Sequence, residues 1–124
     1  LLEDRILIRP NELRPLKTSS SERSIPIHPR LKPLAVELRE KDGILWPAQY
    51  QESNKRWGVN LSKPCRKIVG VTPKGFRDRA ATVLRSNNMN EAVVVALLGH
   101  TPNSISMSYG AVPWNELKRA VKLL

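Results

Sequence analysis

Five residues, Lys17, Lys74, Arg77, His100 and Tyr109, stand in an order that suits chemistry on a phosphate. A phenol near pKa 10 is a weak nucleophile at neutral pH, so Tyr109 needs cationic or hydrogen-bonding help to attack phosphorus. Arg77 can meet the charge that builds on non-bridging oxygens with its planar fork, and His100 can add a donor. Lys17, in a polar turn, suits the general acid that protonates a departing oxygen. Taken singly, each residue has an ordinary reading. Lys17 is a turn residue, Arg77 a surface cation, His100 the residue after a helix-ending glycine, and Tyr109 a half-buried aromatic. Lys74 serves equally well as a phosphate contact or a solvated charge. Order and spacing carry the inference. No carboxylate pair, cysteine or metal-binding cluster competes, and neither a metal nor another cofactor is expected.

Composition narrows the partners. The chain has 124 residues, enough for one domain or part of one, and its net charge is +10. Such a balance favours a polyanion, and nothing reads as a membrane span, a signal peptide or a strongly amphipathic membrane helix. The single Cys65 fits a reducing compartment. The charge is concentrated: residues 55–85 hold nine basic side chains and one acid, Asp78. Like charges at this density repel unless a polyanion neutralises them, so Lys63, Arg66, Lys67, Lys74 and Arg79 are expected to contact DNA phosphates.

These residues must be positioned by a short hairpin and a set of helices. Arg5–Arg9 reads as a strand bounded by Pro10, and Arg23–Ile27 as its partner at a sheet edge, with a polar turn over 17–22. A helix is expected over Arg30–Lys41, with Leu31, Leu34 and Leu38 on its apolar face and Gly43 beyond it. Residues 44–58 suggest a loop followed by a helix start. Asn60–Val69 is expected to be helical with a kink or a start at Pro64. Thr72 and Pro73 open a helix whose buried stripe is Phe76, Ala80, Val83 and Leu84, ending near Asn87 and Asn88. Asn90 caps the next, Glu91–Leu98, and Gly99 stops it. Pro102 opens a short helix through Tyr109 and Gly110. Pro113 opens a last one with Trp114, Leu117, Val121 and Leu124 as its apolar side, suited either to its own domain or to a neighbouring copy. The fold class expected is α+β, mainly α-helical, with a small antiparallel hairpin packed on a helical bundle.

Four segments, taken together, resemble the catalytic domain of the tyrosine recombinase (phage integrase) family. The stretch from Leu16 to Pro29 is similar to the family's β-hairpin with a lysine at its turn. Thr72-Pro73-Lys74-Gly75-Phe76-Arg77 resembles its His-x-x-Arg box, with lysine in the histidine position. Ala96-Leu97-Leu98-Gly99-His100-Thr101 resembles the Leu-Gly-His box, and Ser106-Met107-Ser108-Tyr109-Gly110 stands where the nucleophile is expected. The resemblance implies a partial integrase catalytic domain over 1–124, with the lysine hairpin in 1–29 and the nucleophile in the helical part, 30–124. Tyr109, Arg77, His100, Lys17 and Lys74 are then the catalytic set.

Two departures accompany the resemblance. Lys74 stands where the family has a histidine, and a lysine side chain as a type is a cation at neutral pH whereas a histidine can exchange protons there. The family's first arginine belongs to a Thr-Gly-x-Arg-like segment that is not found here; Arg5, Arg9 and Arg14 lie in the wrong context for it, so a fragment inactive alone is expected. What the resemblance implies for the parent protein is site-specific DNA cleavage and rejoining through a 3′-phosphotyrosyl intermediate. The partners expected are double-stranded DNA and further copies of the chain, a monomer in solution and a tetramer on DNA. The setting expected is the bacterial cytoplasm, at the nucleoid. Two alternatives are a DNA-binding module that has lost catalysis and a basic structural protein. Tyr109 at its proper distance argues against the first, and the ordered boxes against the second.

Overall fold

A computed structural model describes residues 1–10, 21–54, 56–99 and 111–124. Strands β1 (Arg5–Ile8) and β2 (Arg23–Pro26) pair antiparallel, with Arg5 opposite Pro26 and Ile8 opposite Arg23. A 3-10 turn at Pro29–Leu31 leads into α1 (Lys32–Arg39). Two minimal strands follow, β3 (Tyr50–Gln51) and β4 (Arg56–Trp57), again antiparallel. Helices α2 (Ser62–Val69), α3 (Pro73–Ser86), α4 (Glu91–Leu98) and α5 (Trp114–Val121) complete the described chain. The class is α+β with helix predominant, as the sequence suggests.

The core lies where three helices meet the hairpin. Ala81 and Leu84 of α3, Met89, then Val93, Val94, Leu97 and Leu98 of α4 pack with Leu117, Ala120 and Val121 of α5. Ile25 of β2 and Trp114 close its margin. Leu84 and Val94 are fully buried, each worth about 1.5–3 kcal/mol of apolar transfer. Helix α4 is apolar almost all round, as a helix sandwiched between neighbours must be. The C-terminal helix docks on its own chain: its apolar side enters this core and packs on α4 and β2.

Caps set the helix boundaries. The Thr72 hydroxyl accepts from the Gly75 N–H at 3.3 Å, and the Asn90 side chain accepts from the Ala92 N–H at 2.8 Å. Each such cap contributes about 1 kcal/mol. Between α3 and α4 the Arg85 guanidinium grips Glu91 with both arms, at 2.6 and 3.0 Å, holding the short connection closed. Arg5 lies 4.4 Å from the Trp114 ring centroid and tethers β1 to α5. Its bond to Asp4, at 2.7 Å, holds that carboxyl below the ordinary aspartate range.

Several expectations are corrected. Helix α1 begins at Lys32 and ends at Arg39, and its inward residue is Ala35; Leu31 and Leu34 are about half exposed. A short helix touching the domain along a narrow line buries a small residue and leaves the longer ones at the rim. Phe76 is also exposed, because the first turns of α3 extend past the core and only the Ala81–Leu84 end reaches it. Leu124 lies beyond the end of α5 and is exposed, while Ala120 takes the buried position. In place of a helix start after residue 44, Pro47–Gln49 and Glu52–Asn54 form 3-10 turns around the β3–β4 ladder. Pro64 falls in the first turn of α2, where its missing N–H breaks no intrahelical bond. The expected turn around Lys17 and the helix from Pro102 to Gly110 lie outside the described residues.

Candidate functional site

A cleft of about 620 Å³ opens where β2, the second turn of α3, the end of α4 and the end of α5 converge. Arg77 reaches it from α3, Leu97 and Leu98 from α4, Val121 from α5, and Arg23 with Ile25 from β2. His28 and Arg30 enter from the turn that follows β2. Among the described residues that line it there is no aspartate or glutamate. The cleft is thus cationic on an apolar floor, a setting in which an anion is held more strongly than in water.

Arg77 owes its place to the opening of α3. Thr72 caps the helix, Pro73 presets its first turn, and Arg77 follows one turn later on the side that meets the cleft. Arg23 is held more elaborately. Its Nε–H donates to the Leu97 carbonyl at 3.1 Å and its Nη1 donates to the Ser21 carbonyl at 2.8 Å. The first bond satisfies a carbonyl that the C-terminus of α4 leaves open, and the cation complements the negative end of that helix. Gly99 completes the arrangement. Its φ of +66° is the left-handed helix cap, and a Cβ there would lie 2.6 Å from Cζ of Arg23. Only glycine both accepts this backbone conformation and leaves room for the guanidinium. Burial holds Arg23 below the ordinary arginine pKa, and the positive charge of Arg77 pushes it the same way.

His28 has a structural duty beside its place in the cleft. Its Nδ1 accepts from the Arg30 N–H at 3.1 Å and caps the 3-10 turn.

The remaining candidates are distributed. Lys74 is exposed and pairs with Asp78 one helical turn on, at 2.8 Å; it does not line the cleft. Arg79 is exposed on α3, two residues beyond Arg77 and therefore on a different side of the helix. Lys63, Arg66 and Lys67 are exposed on α2, a helix that buries none of its residues. Lys17, His100 and Tyr109 lie outside the described residues. Of the two expected catalytic residues that are described, Arg77 lines the cleft and Lys74 does not; in sequence, His100 directly follows Gly99, the residue that Arg23 covers.

Sequence reasoning missed Arg23, His28 and Arg30. The signal for Arg23 was present: it stands two residues from Ile25, so both side chains leave the strand on one face, and Ile25 packs on the core. An arginine in phase with an inward isoleucine points to a buried duty for its charge.

Among the described residues no group of three histidine, cysteine or carboxylate side chains is placed to hold a metal ion. No described helix is long and apolar enough to cross a membrane. Compared with protein-family models, curated protein sequences and solved structures, the chain matches none.

Proposed function

We propose that the chain carries the catalytic residues of a tyrosine-type site-specific DNA recombinase. The observation that carries this reading is the convergence of Arg77, the end of α4 that precedes His100, and the strand that follows the expected lysine turn upon one cationic cleft, whose described lining holds no aspartate or glutamate. Segments about twenty and fifty residues apart thereby bring cationic side chains to one opening, which supports the reading because charge builds on the oxygens of a phosphodiester under nucleophilic attack. In the proposed reaction the Tyr109 hydroxyl gives up its proton to solvent and its oxygen attacks phosphorus, forming a 3′-phosphotyrosyl bond as the bond to the 5′-oxygen breaks. Lys17 delivers the proton that makes the leaving group a 5′-hydroxyl. Arg77 and His100 stabilise the non-bridging oxygens. Rejoining is the reverse reaction with a new 5′-hydroxyl, and the conserved bond energy removes any need for ATP. Double-stranded DNA is the substrate, and a monomer in solution assembles as a tetramer on it.

The pairing of Lys74 with Asp78 favours a second reading, in which the fold binds DNA without cutting it. Arg77→Gln separates the two. In the protein at its full natural length, on a nicked duplex bearing its element's junction, the enzyme reading expects DNA affinity within about tenfold of wild type and cleavage reduced at least 10²-fold, since one preorganised oxyanion donor is worth roughly that. Binding by the wild type with no cleavage of that duplex would favour the binding module.

A further inference from the structure

We infer that a second cleft, between α1, α5 and the open end of the hairpin, docks a carboxylate-rich segment of a partner protein. It encloses about 470 Å³, and of its described lining residues only Pro26 also lines the first cleft. The site stands on its own residues and does not rest on the recombinase reading. Lys32 and Arg39 line it from α1, and Lys118 and Lys122 from the end of α5. Val36 stands four residues after Lys32 and three before Arg39, so all three share one face of α1. On these same helices other cations are matched, Lys41 by Glu37 and Arg119 by Glu116. Lys32, Arg39 and Lys122 have no such match among the described residues. Lys118 lies 5.9 Å from the Trp114 ring centroid and helps to lower the Asp4 carboxyl, after the Arg5 bond that is the larger cause. Asp4 is gripped by both arms of Arg5, at 2.7 and 3.0 Å, which leaves Glu3 as the one unspent carboxylate of the described lining. Arg39 and Lys122 complement the negative ends of their helices, but Lys32 opens α1, where the helix dipole disfavours a cation. Four cations on one cleft, two of them a single turn apart on α5, repel one another until an anionic partner enters. The walls decide the kind of anion. Buried Pro26 and Ile27 and half-exposed Val36 offer apolar surface to the side chains of a peptide, whereas phosphate contacts need only cations and N–H donors. Glu3 repels a run of phosphates but can accept from the backbone N–H groups of an extended peptide.

The test is fluorescence anisotropy of the chain with a labelled peptide alternating glutamate and leucine, beside its glutamine counterpart and a labelled DNA duplex. The glutamate peptide should bind saturably, about tenfold more tightly than the glutamine peptide, and should weaken as salt rises. Lys32→Glu and Arg39→Glu should each weaken it about tenfold, while Lys67→Glu on α2 leaves it unchanged. Val36→Ser should weaken the peptide about threefold and leave duplex affinity unaltered. Arg39→Gln replaces the reversal if circular dichroism shows that Arg39→Glu has unfolded the chain. Absence of saturable peptide binding, or equal weakening by Lys67→Glu, would overturn the inference. Loss of duplex affinity in Lys32→Glu and Arg39→Glu, with peptide binding indifferent to both, would also overturn it and give the cleft to DNA. Peptide binding at this cleft in a protein that forms no covalent adduct with DNA would sustain the inference and remove the enzyme.

Discussion

Replacing Gly99 by alanine strikes the close approach between the end of α4 and the Arg23 guanidinium. Two costs can be separated. The left-handed backbone, at φ +66°, costs an alanine about 1–2 kcal/mol. The new methyl would lie 2.6 Å from Cζ and 3.0 Å from Nε of Arg23, so the guanidinium must leave. Its bonds to Leu97 and Ser21 are then lost, at about 1–2 kcal/mol together because the side chain is only partly buried. The whole substitution should therefore cost about 2–4 kcal/mol. The assay is a double-mutant cycle by urea unfolding, with far-ultraviolet circular dichroism as the signal. In an Arg23→Ala background only the backbone cost remains, so Gly99→Ala should fall to about 1–2 kcal/mol, a coupling of about 1–2 kcal/mol. Additivity within about 0.5 kcal/mol would refute the close approach, because residues in contact do not behave independently.

Two further predictions concern the core and the basic surface. Leu84→Ala should cost about 2–5 kcal/mol, because the residue is fully enclosed, whereas Leu34→Ala on the exposed side of α1 should stay within about 0.5 kcal/mol in the same urea assay. In fluorescence anisotropy with labelled duplex, Lys67→Gln should lower the slope of log affinity against log salt by about 1; an unchanged slope takes that cation off the DNA.

Legibility in the sequence differed by element. Helices α3 and α4 could be read nearly to the residue because their ends carry local chemistry: Thr72 with Pro73, and Asn90 with Gly99, act within a few residues of themselves. The hairpin was legible for the same reason, in its alternation and its bounding prolines. What could not be read is which face of a short helix meets the rest of the domain. The spacing of Leu31, Leu34 and Leu38 describes a stripe, but α1 is seated on Ala35, a choice made by partners distant in sequence. Phe76 and Leu124 failed likewise, lying past the edge of the core. At the cleft, Arg77 was singled out through its place in an ordered set of residues, and it is among the lining side chains. Arg23 was passed over because strand arginines are usually solvent-facing, and its partners, the carbonyl of Leu97 and the bare backbone of Gly99, become neighbours only on folding.

The central claim is that Tyr109 becomes covalently joined to DNA, and mass spectrometry can read that bond directly. The full-length protein is incubated with a nicked duplex carrying its element's junction, digested with nuclease and trypsin, and the peptide bearing residual nucleotide is sequenced. The account predicts the nucleotide on Tyr109, linked through a 3′-phosphate, with no adduct in the Tyr109→Phe protein. An adduct on another residue, or bound duplex recovered uncut and without any adduct, would contradict it.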